Sequence, residues 1–414
     1  MQRLDATLWS RLRFWRPSGP PLTGRDVWIV VLNWNRRDET LACLASLARA
    51  DLGGATILVV DNGSRDNTVA AVRARHPDVR VLALPENRGF AGGCNAGMRE
   101  ALAAGAGAVL LLNNDTEVAP DFLPPMLAVL NRRRWAAAVS GAVFRADSRE
   151  VLDCAWLEIY FGHGIVRRRG VNALPGEGFD RIRTISAGLG SCLLLRASAL
   201  ARVGLLDEAY FAYHEEVDWC FRARKAWRVI YYQPYARVWH RGSSSTTDLV
   251  RPPRKRARVA RPQLPNPIPL SWNPVRTYLG ARNSVRFVRR HGSWRRKAYF
   301  ALSSLYNVPL ELLAVVLDRE EELKLGLLTY RRALALYCLE SEAAESGGGP
   351  SGGPTAWTRV RAVLRAPRHL LVSLPADVRR ARAEGATAQV DELLLGLADG
   401  YYDRPLPLER LGLK

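Results

Sequence analysis

The sequence predicts an α/β protein built on a doubly wound sheet, and three observations carry that reading. Apolar runs typical of fully buried strands recur at Val27–Leu32, Thr56–Val60, Val79–Ala83 and Val109–Leu112. Segments with helical spacing separate them. Each run stops abruptly in polar residues: Asn33-Trp34-Asn35, Asp61-Asn62-Gly63-Ser64, Asn87-Arg88-Gly89 and Asn113-Asn114-Asp115. These clusters fall on one sheet edge, at the carboxyl ends of strands, where open α/β sheets bind ligands.

Taken in order, Met1–Arg16 places Leu4, Leu8, Leu12 and Trp15 on one helical stripe with arginines around it. That suits an interfacial amphipathic helix or a helix docked on the domain, and nothing in it resembles a signal peptide. Pro17–Gly24 is a break, so residues 1–24 are expected as an extension and 25–250 as the main domain. Within the domain, Glu39–Arg49, Asn67–His76 and Gly93–Ala104 are expected as helices. Beyond Ala136 the pattern is irregular. Val139–Phe144 and Cys192–Leu195 read as strands, Ala197–Val203 and Val217–Trp227 as helices, and Val229–Gln233 and Val238–His240 as extended.

Residues 251–345 are expected as a basic and apolar helical region near a membrane, 346–354 as a Gly/Pro/Ser linker and 355–414 as a helical tail. The apolar stretch Ala298–Leu317 has the length of a bilayer span, but Pro309 and its polar residues favour a surface or re-entrant helix pair. A net charge of +20 over 414 residues implies an anionic partner. Six scattered cysteines without a Cys-x-x-Cys pair exclude a zinc framework and suggest reduced thiols in the cytoplasm.

The strand-end clusters can be read residue by residue. Trp34 could stack on a base, Asn33 and Asn35 shape the turn, and Asp61 or Asn62 could meet the base edge. Gly89–Gly93 before a helix could bring amides to a phosphate, or could serve close helix–sheet packing. Asp115 could hold a divalent cation against a diphosphate. Glu215, Glu216 and Asp218 open a helix, where acids are favoured in any case by the dipole.

The order and spacing of these pieces, with Gly204-Leu205-Leu206-Asp207-Glu208 and Trp239-His240, resemble bacterial family 2 glycosyltransferases, especially rhamnosyltransferase-like members. The resemblance spans roughly residues 26–245. It implies a GT-A fold, a mixed sheet flanked by helices, with a C-terminal helical region. It implies a donor site at Asn33, Trp34, Asn35, Asp61, Asn62, Asn87, Arg88, Gly92, Asn114 and Asp115. A loop at Gly190 and Ser191 would meet the sugar or the acceptor.

The family's Asp-x-Asp motif falls on Asn113-Asn114-Asp115, with its first acid replaced by Asn. Asp115 and His240 would then hold Mn²⁺ or Mg²⁺. Glu216 is the implied base, with Glu in place of the usual Asp; Asp218 is the alternative, and Glu215 belongs to the same acidic group.

The implied reaction is inverting, metal-dependent transfer from a nucleotide-diphosphate sugar, best dTDP-rhamnose. The acceptor would be lipid-linked or polysaccharide, in cell-envelope glycan synthesis on the inner membrane face, where basic segments meet anionic lipid. A sugar-phosphate nucleotidyltransferase would want a basic Gly-rich loop after the first strand, which is missing. A non-catalytic membrane scaffold would not need Asp115, Glu216 and His240. A nucleic-acid binder would explain the charge but not the strand-end clusters.

Overall fold

The computed structural model describes residues 20–162, 164–174, 176–241, 274–304 and 387–413. The N-terminal stripe, the basic run 251–261, the linker, and most of the apolar stretch and tail lie outside them. The described chain divides into two compact units: residues 1–158, 169–245 and 413–414, and residues 159–168 with 246–412.

In the first unit the expected alternation is present. β1 (Val27–Asn33), α1 (Arg37–Leu47), β2 (Thr56–Asn62), α2 (Thr68–Arg75), β3 (Arg80–Leu84), α3 (Gly89–Ala103) and β4 (Ala108–Asn113) follow one another. β5 (Thr116–Val118), α4 (Leu123–Arg132), β6 (Ala136–Arg145) and β7 (Leu152–Cys154) come next. β8 (Trp156–Ile159) and β9 (Val166–Arg169), most of the latter counted with the second unit, pair as a separate two-stranded sheet. β10 (Arg183–Ile185), β11 (Cys192–Arg196), α5 (Ala197–Val203), α6 (Glu215–Lys225) and β12 (Val229–His240) complete the unit.

The main sheet runs β10-β12-β6-β11-β4-β1-β2-β3, with β5 on β12 and β7 on β6. β1 to β4 are mutually parallel, and β11 enters antiparallel between β4 and β6. The sheet is therefore mixed, flanked by helices, and of the GT-A class expected. β1 and β4 are nearly solvent-free along their length, which explains their unbroken apolar runs.

α3 starts at Gly89, earlier than its spacing suggests, so Gly92 is helical. A Cβ on Gly97 would lie 2.6 Å from Val30 Cγ1, and one on Gly93 would strike Leu32 Cδ1. Close helix–sheet packing is thus what these glycines provide. Gly97→Ala should cost about 1–3 kcal/mol through overpacking, read as a lowered denaturant midpoint.

The two extended pieces at 229–233 and 238–240 are one strand. β12 pairs with β6 throughout, with a register shift between Gln233 and Arg237. Such a bulge bends a strand, and beyond it Val238–His240 pair antiparallel with β5.

In the second unit, α7 (Pro274–His291) packs on α8 (Thr387–Tyr402). The Tyr278 hydroxyl donates to Asp399 Oδ2 at 2.7 Å. Gly396 and Gly400 allow the close approach; a Cβ on Gly400 would lie 2.5 Å from the Arg282 carbonyl oxygen. Arg282 is buried, Arg286 pairs with Asp403 at 2.6 Å, and Arg289 donates to the Gly400 carbonyl. These three arginines, which lie in the basic region expected near a membrane, make contacts within the helical unit. No helix of the described residues is long and apolar enough to cross a membrane. Cys43, Cys94, Cys154, Cys192 and Cys220 are buried free thiols, and Cys338 lies outside the described residues.

Candidate active site

The polar strand ends are knitted together around Asn33. Asn33 and Asp61 are register partners across β1 and β2, and Asn33 Nδ2 donates to Asp61 Oδ1 at 2.8 Å. Asn33 Oδ1 accepts from Thr40 Oγ1 at 2.8 Å and from Asn114 Nδ2 at 3.1 Å. Ser64 Oγ receives Asn33 Nδ2 and the Asn35 amide, and Asp61 Oδ2 takes the Ser64 amide. Asn33 and Asp61 are buried, so this net fixes three strand ends relative to one another. Asn35 turns the chain at φ 53° and accepts from the Arg65 amide. Trp34, half-buried, follows β1 directly.

Asn62 is buried and makes the next link. It donates to Asn87 Oδ1 and the Gly89 carbonyl, and accepts from the Arg88 amide. The Gly89 amide donates to Asn87 Oδ1 and the Ala91 amide to the Phe211 carbonyl. These two amides are committed, and the glycines Gly93 and Gly97 serve close helix–sheet packing. The Arg88 side chain is exposed, and Gly92 lies beside its Cβ.

Asp115 and His240, far apart in sequence, meet because β5 pairs with β12, with His240 opposite Thr116. The Arg241 amide donates to the Asp115 carbonyl at 3.1 Å. His240 Nε2 stands 3.1 Å from Asp115 Oδ1 and 3.2 Å from Asn113 Nδ2, and His240 Nδ1 lies 3.9 Å from Asp153 Oδ2. Burial alone would push the imidazole pKa down, but hydrogen bonds and charge from Asp115 and Asp153 hold it up at about 9. Asn113 Oδ1 is buried beside them with no hydrogen-bond partner among the described residues. No three His, Cys, Asp or Glu side chains gather as a metal cage among the described residues. The donor set is therefore partial. One carboxylate, one imidazole and one unspent amide oxygen fit a divalent cation whose remaining positions are taken by phosphate oxygens.

The loop before β11 lies alongside: the Asn113 amide donates to the Ser191 carbonyl at 3.3 Å, and Gly190 abuts the Phe90 ring.

The acidic helix start is strained. Phe211, Tyr213 and His214 all have positive φ (63°, 68° and 75°) just before α6. For non-glycine residues this costs on the order of 1–3 kcal/mol each and persists where the surroundings impose it. The segment delivers Glu215, buried, and Glu216, half-buried, side by side at the start of α6. Burial first, and then the adjoining carboxylate, push Glu215 well above the usual range; burial also raises Glu216. Glu215 Oε2 and Glu216 Oε2 are buried without hydrogen-bond partners among the described residues.

Asp218 stands apart. It is fully buried, 2.7 Å from Arg222 Nε, and accepts from the Tyr210 hydroxyl. Arg222 also binds the Val203 and Leu205 carbonyls, so Asp218 secures a loop.

Because both carboxyls are raised above the ordinary Glu range in the folded state, the pair's contribution to stability is fully present below that range and is lost as pH rises through the raised values. Glu215→Gln should therefore raise the thermal midpoint at neutral pH. It should leave the acid limb of the rate profile in place or move it to higher pH, since the Glu215 carboxyl acts on Glu216 through a hydrogen bond that lowers its pKa.

Sequence reasoning did not find Thr40, Asp153 or the strained Phe211–His214 segment, and placed Ser64 in a strand-end cluster without a role in the net. Asp153 sits on a three-residue strand, and neither it nor the strain leaves a motif.

A polar net across parallel strand ends, a carboxylate–imidazole pair and two adjoining carboxylates with raised pKa values are groups that an enzyme could use. Comparison with known proteins gives the class. The family model described as glycosyl transferase family 2 matches residues 28–189. The chain is 31% identical over 221 residues to an N-acetylglucosaminyl-diphospho-decaprenol L-rhamnosyltransferase of Mycobacterium tuberculosis, covering 49% of this chain and 72% of that one. It is 25% identical over 203 residues to the low-salt glycan biosynthesis hexosyltransferase Agl10 of Haloferax volcanii, covering 48% and 62%. A solved mannosyltransferase of Pyrobaculum calidifontis, in complex with GDP-Man and Mn²⁺, superposes with a TM-score of 0.47 at 16% identity, over 96% of this chain and 94% of that one. The chain belongs to glycosyltransferase family 2 and is a glycosyltransferase.

Proposed function

We propose that this glycosyltransferase moves a hexose, with inversion, from a nucleotide-diphosphate donor to a hydroxyl of a lipid-linked saccharide, at the cytoplasmic face of the membrane in cell-envelope glycan synthesis. Rhamnose from dTDP-rhamnose is the first donor to try. The similarity to an N-acetylglucosaminyl-diphospho-decaprenol L-rhamnosyltransferase supports both donor and acceptor class. The observation that carries the mechanism is the Glu215–Glu216 pair, whose raised pKa values and unspent oxygens suit proton abstraction near neutral pH.

In this reading the net around Asn33 and Asn62 seats the nucleotide, with Trp34 against the base. Asp115 and His240, with Asn113 Oδ1, would hold Mn²⁺ or Mg²⁺. Such an ion supplies charge to the leaving diphosphate. Glu216 takes the acceptor hydroxyl's proton, and that oxygen attacks the anomeric carbon from the face opposite the leaving group. Direct displacement needs no covalent enzyme intermediate and inverts the centre. Glu215 keeps the shared proton and tunes Glu216, while Asp218 remains structural.

The test is release of nucleoside diphosphate from a panel of nucleotide sugars with Mn²⁺ and a prenyl-diphosphate-linked N-acetylglucosamine acceptor. Acceptor-dependent release from dTDP-rhamnose is expected. Release from another nucleotide sugar alone would replace the donor, and acceptor-independent hydrolysis throughout would remove the transfer reading.

A further inference from the structure

A cavity of about 640 Å³ opens beside the first residues of β12 and the edge strand β10, lined by Trp156, Glu158, Arg183, Arg224, Trp227 and Arg228 among others. It lies toward the opposite ends of α6 and β12 from Glu216 and His240. Along α6 alone, Glu216 and Arg224 are separated by about 12 Å of helix.

The charge of this cavity is uncompensated. Arg183, Arg224 and Arg228 have no carboxylate partner among the described residues, and Glu158 is tied to Arg169. Arg228 Nε is buried without a hydrogen-bond partner among the described residues. Burial, and then the charge of Arg202, lower the Arg228 pKa, as expected for like charges held together.

Aromatic faces, rather than acids, hold two of these arginines. Arg183 lies over the Trp156 ring at 4.8 Å, and Trp156 packs against Phe179 at 5.2 Å and Tyr232 at 5.3 Å. Arg228 lies 5.6 Å from the Trp135 ring centroid. A ring beneath a guanidinium fixes its plane while leaving the in-plane N–H donors unspent.

Trp227 adds a third observation. It is 84% exposed and takes φ 59° directly after α6, a position where helices usually place glycine. A bulky ring kept in that conformation and in water points to a use for the ring.

We propose that this cavity is a second ligand site that takes an acidic saccharide. The Trp227 indole offers its flat face to a pyranose ring, and Arg183, Arg224 and Arg228 hold the saccharide's carboxylate or phosphate groups. A recess of this size suits a short chain of sugars better than a bilayer surface does. The proposal goes beyond the transfer reaction and does not depend on it.

Calorimetric titration of the full chain tests it. The probes are tetragalacturonate, neutral maltotetraose, inorganic phosphate and phosphatidylglycerol vesicles. Tetragalacturonate is expected to bind and maltotetraose to fail. Arg183→Ala combined with Arg228→Ala should weaken binding by about tenfold or more, losing charge-assisted hydrogen bonds. Trp227→Gly should weaken it about as much while holding or raising the thermal midpoint, because glycine relieves the left-handed conformation. Undiminished binding by the arginine double variant overturns the site, whatever Trp227→Gly does to stability. Equal binding of maltotetraose, or phosphate alone matching tetragalacturonate, overturns the acidic-saccharide assignment. Binding to the vesicles without binding to tetragalacturonate replaces it with a membrane surface.

Discussion

Asp115→Ala abolishes transfer, with a fall in turnover of about a thousandfold or more, as for other groups aimed at charge that develops in the transition state. The side chain stands 3.1 Å from His240 Nε2 and is the acid of the Asn113-Asn114-Asp115 turn. Its loss leaves His240 without that carboxylate and leaves the diphosphate facing an imidazole alone. The fold survives, because β5 and β12 are joined by backbone pairing that the substitution does not touch. The measurement is nucleoside diphosphate release across a Mn²⁺ titration, with circular dichroism and the thermal midpoint as controls. Full activity in a folded Asp115→Ala protein would sink the assignment. Wild-type turnover that survives exhaustive chelation would leave Asp115 a role without metal.

Glu216→Gln is the second large effect. The amide keeps the shape and cannot take a proton, so turnover falls by about a hundredfold to ten-thousandfold. Donor affinity should be unchanged, since nothing in the strand-end net depends on Glu216. Asp218→Asn is the control that separates chemistry from structure. It weakens a buried pair with Arg222, so its main expected effect is on stability, about 3–5 kcal/mol if the charge is left unmatched. A folded Asp218→Asn protein that binds donor but has lost turnover, beside an active Glu216→Gln protein, would transfer the role of base to Asp218.

What the sequence revealed and what it hid follow from how each element is encoded. Val27–Asn33 and Ala108–Asn113 are buried on both faces, so their apolar runs and polar ends are visible without any structure. β5 has three residues and no period, yet it brings Asp115 to His240. α4, with two prolines in its first turn where they are tolerated, was not among the expected helices. Val229–His240 looked like two pieces because the bulge interrupts the alternation. The acids of α6 were legible as a group. Their division of labour was only partly so: the i,i+4 spacing of Asp218 and Arg222 allows their pairing, but the burial of Glu215 is not specified by spacing. The contacts of Arg282, Arg286 and Arg289 within the helical unit were equally hidden, since composition does not tell a solvated arginine from one bound to a carbonyl.

The contact between α7 and α8 bears on how the chain can be cut. Ser346–Pro354 looks like a natural place to truncate, with a dispensable tail beyond it. Yet Gly396 and Gly400 of α8 pack against α7, and Asp399 accepts from the Tyr278 hydroxyl. A protein shortened at that linker would carry α7 with an uncovered face: a buried tyrosine deprived of its acceptor, and Arg286 and Arg289 stripped of theirs. Shortened versions made for crystallisation or assay would therefore inherit a sticky helix, and loss of activity in them would report insolubility rather than a catalytic role for the tail.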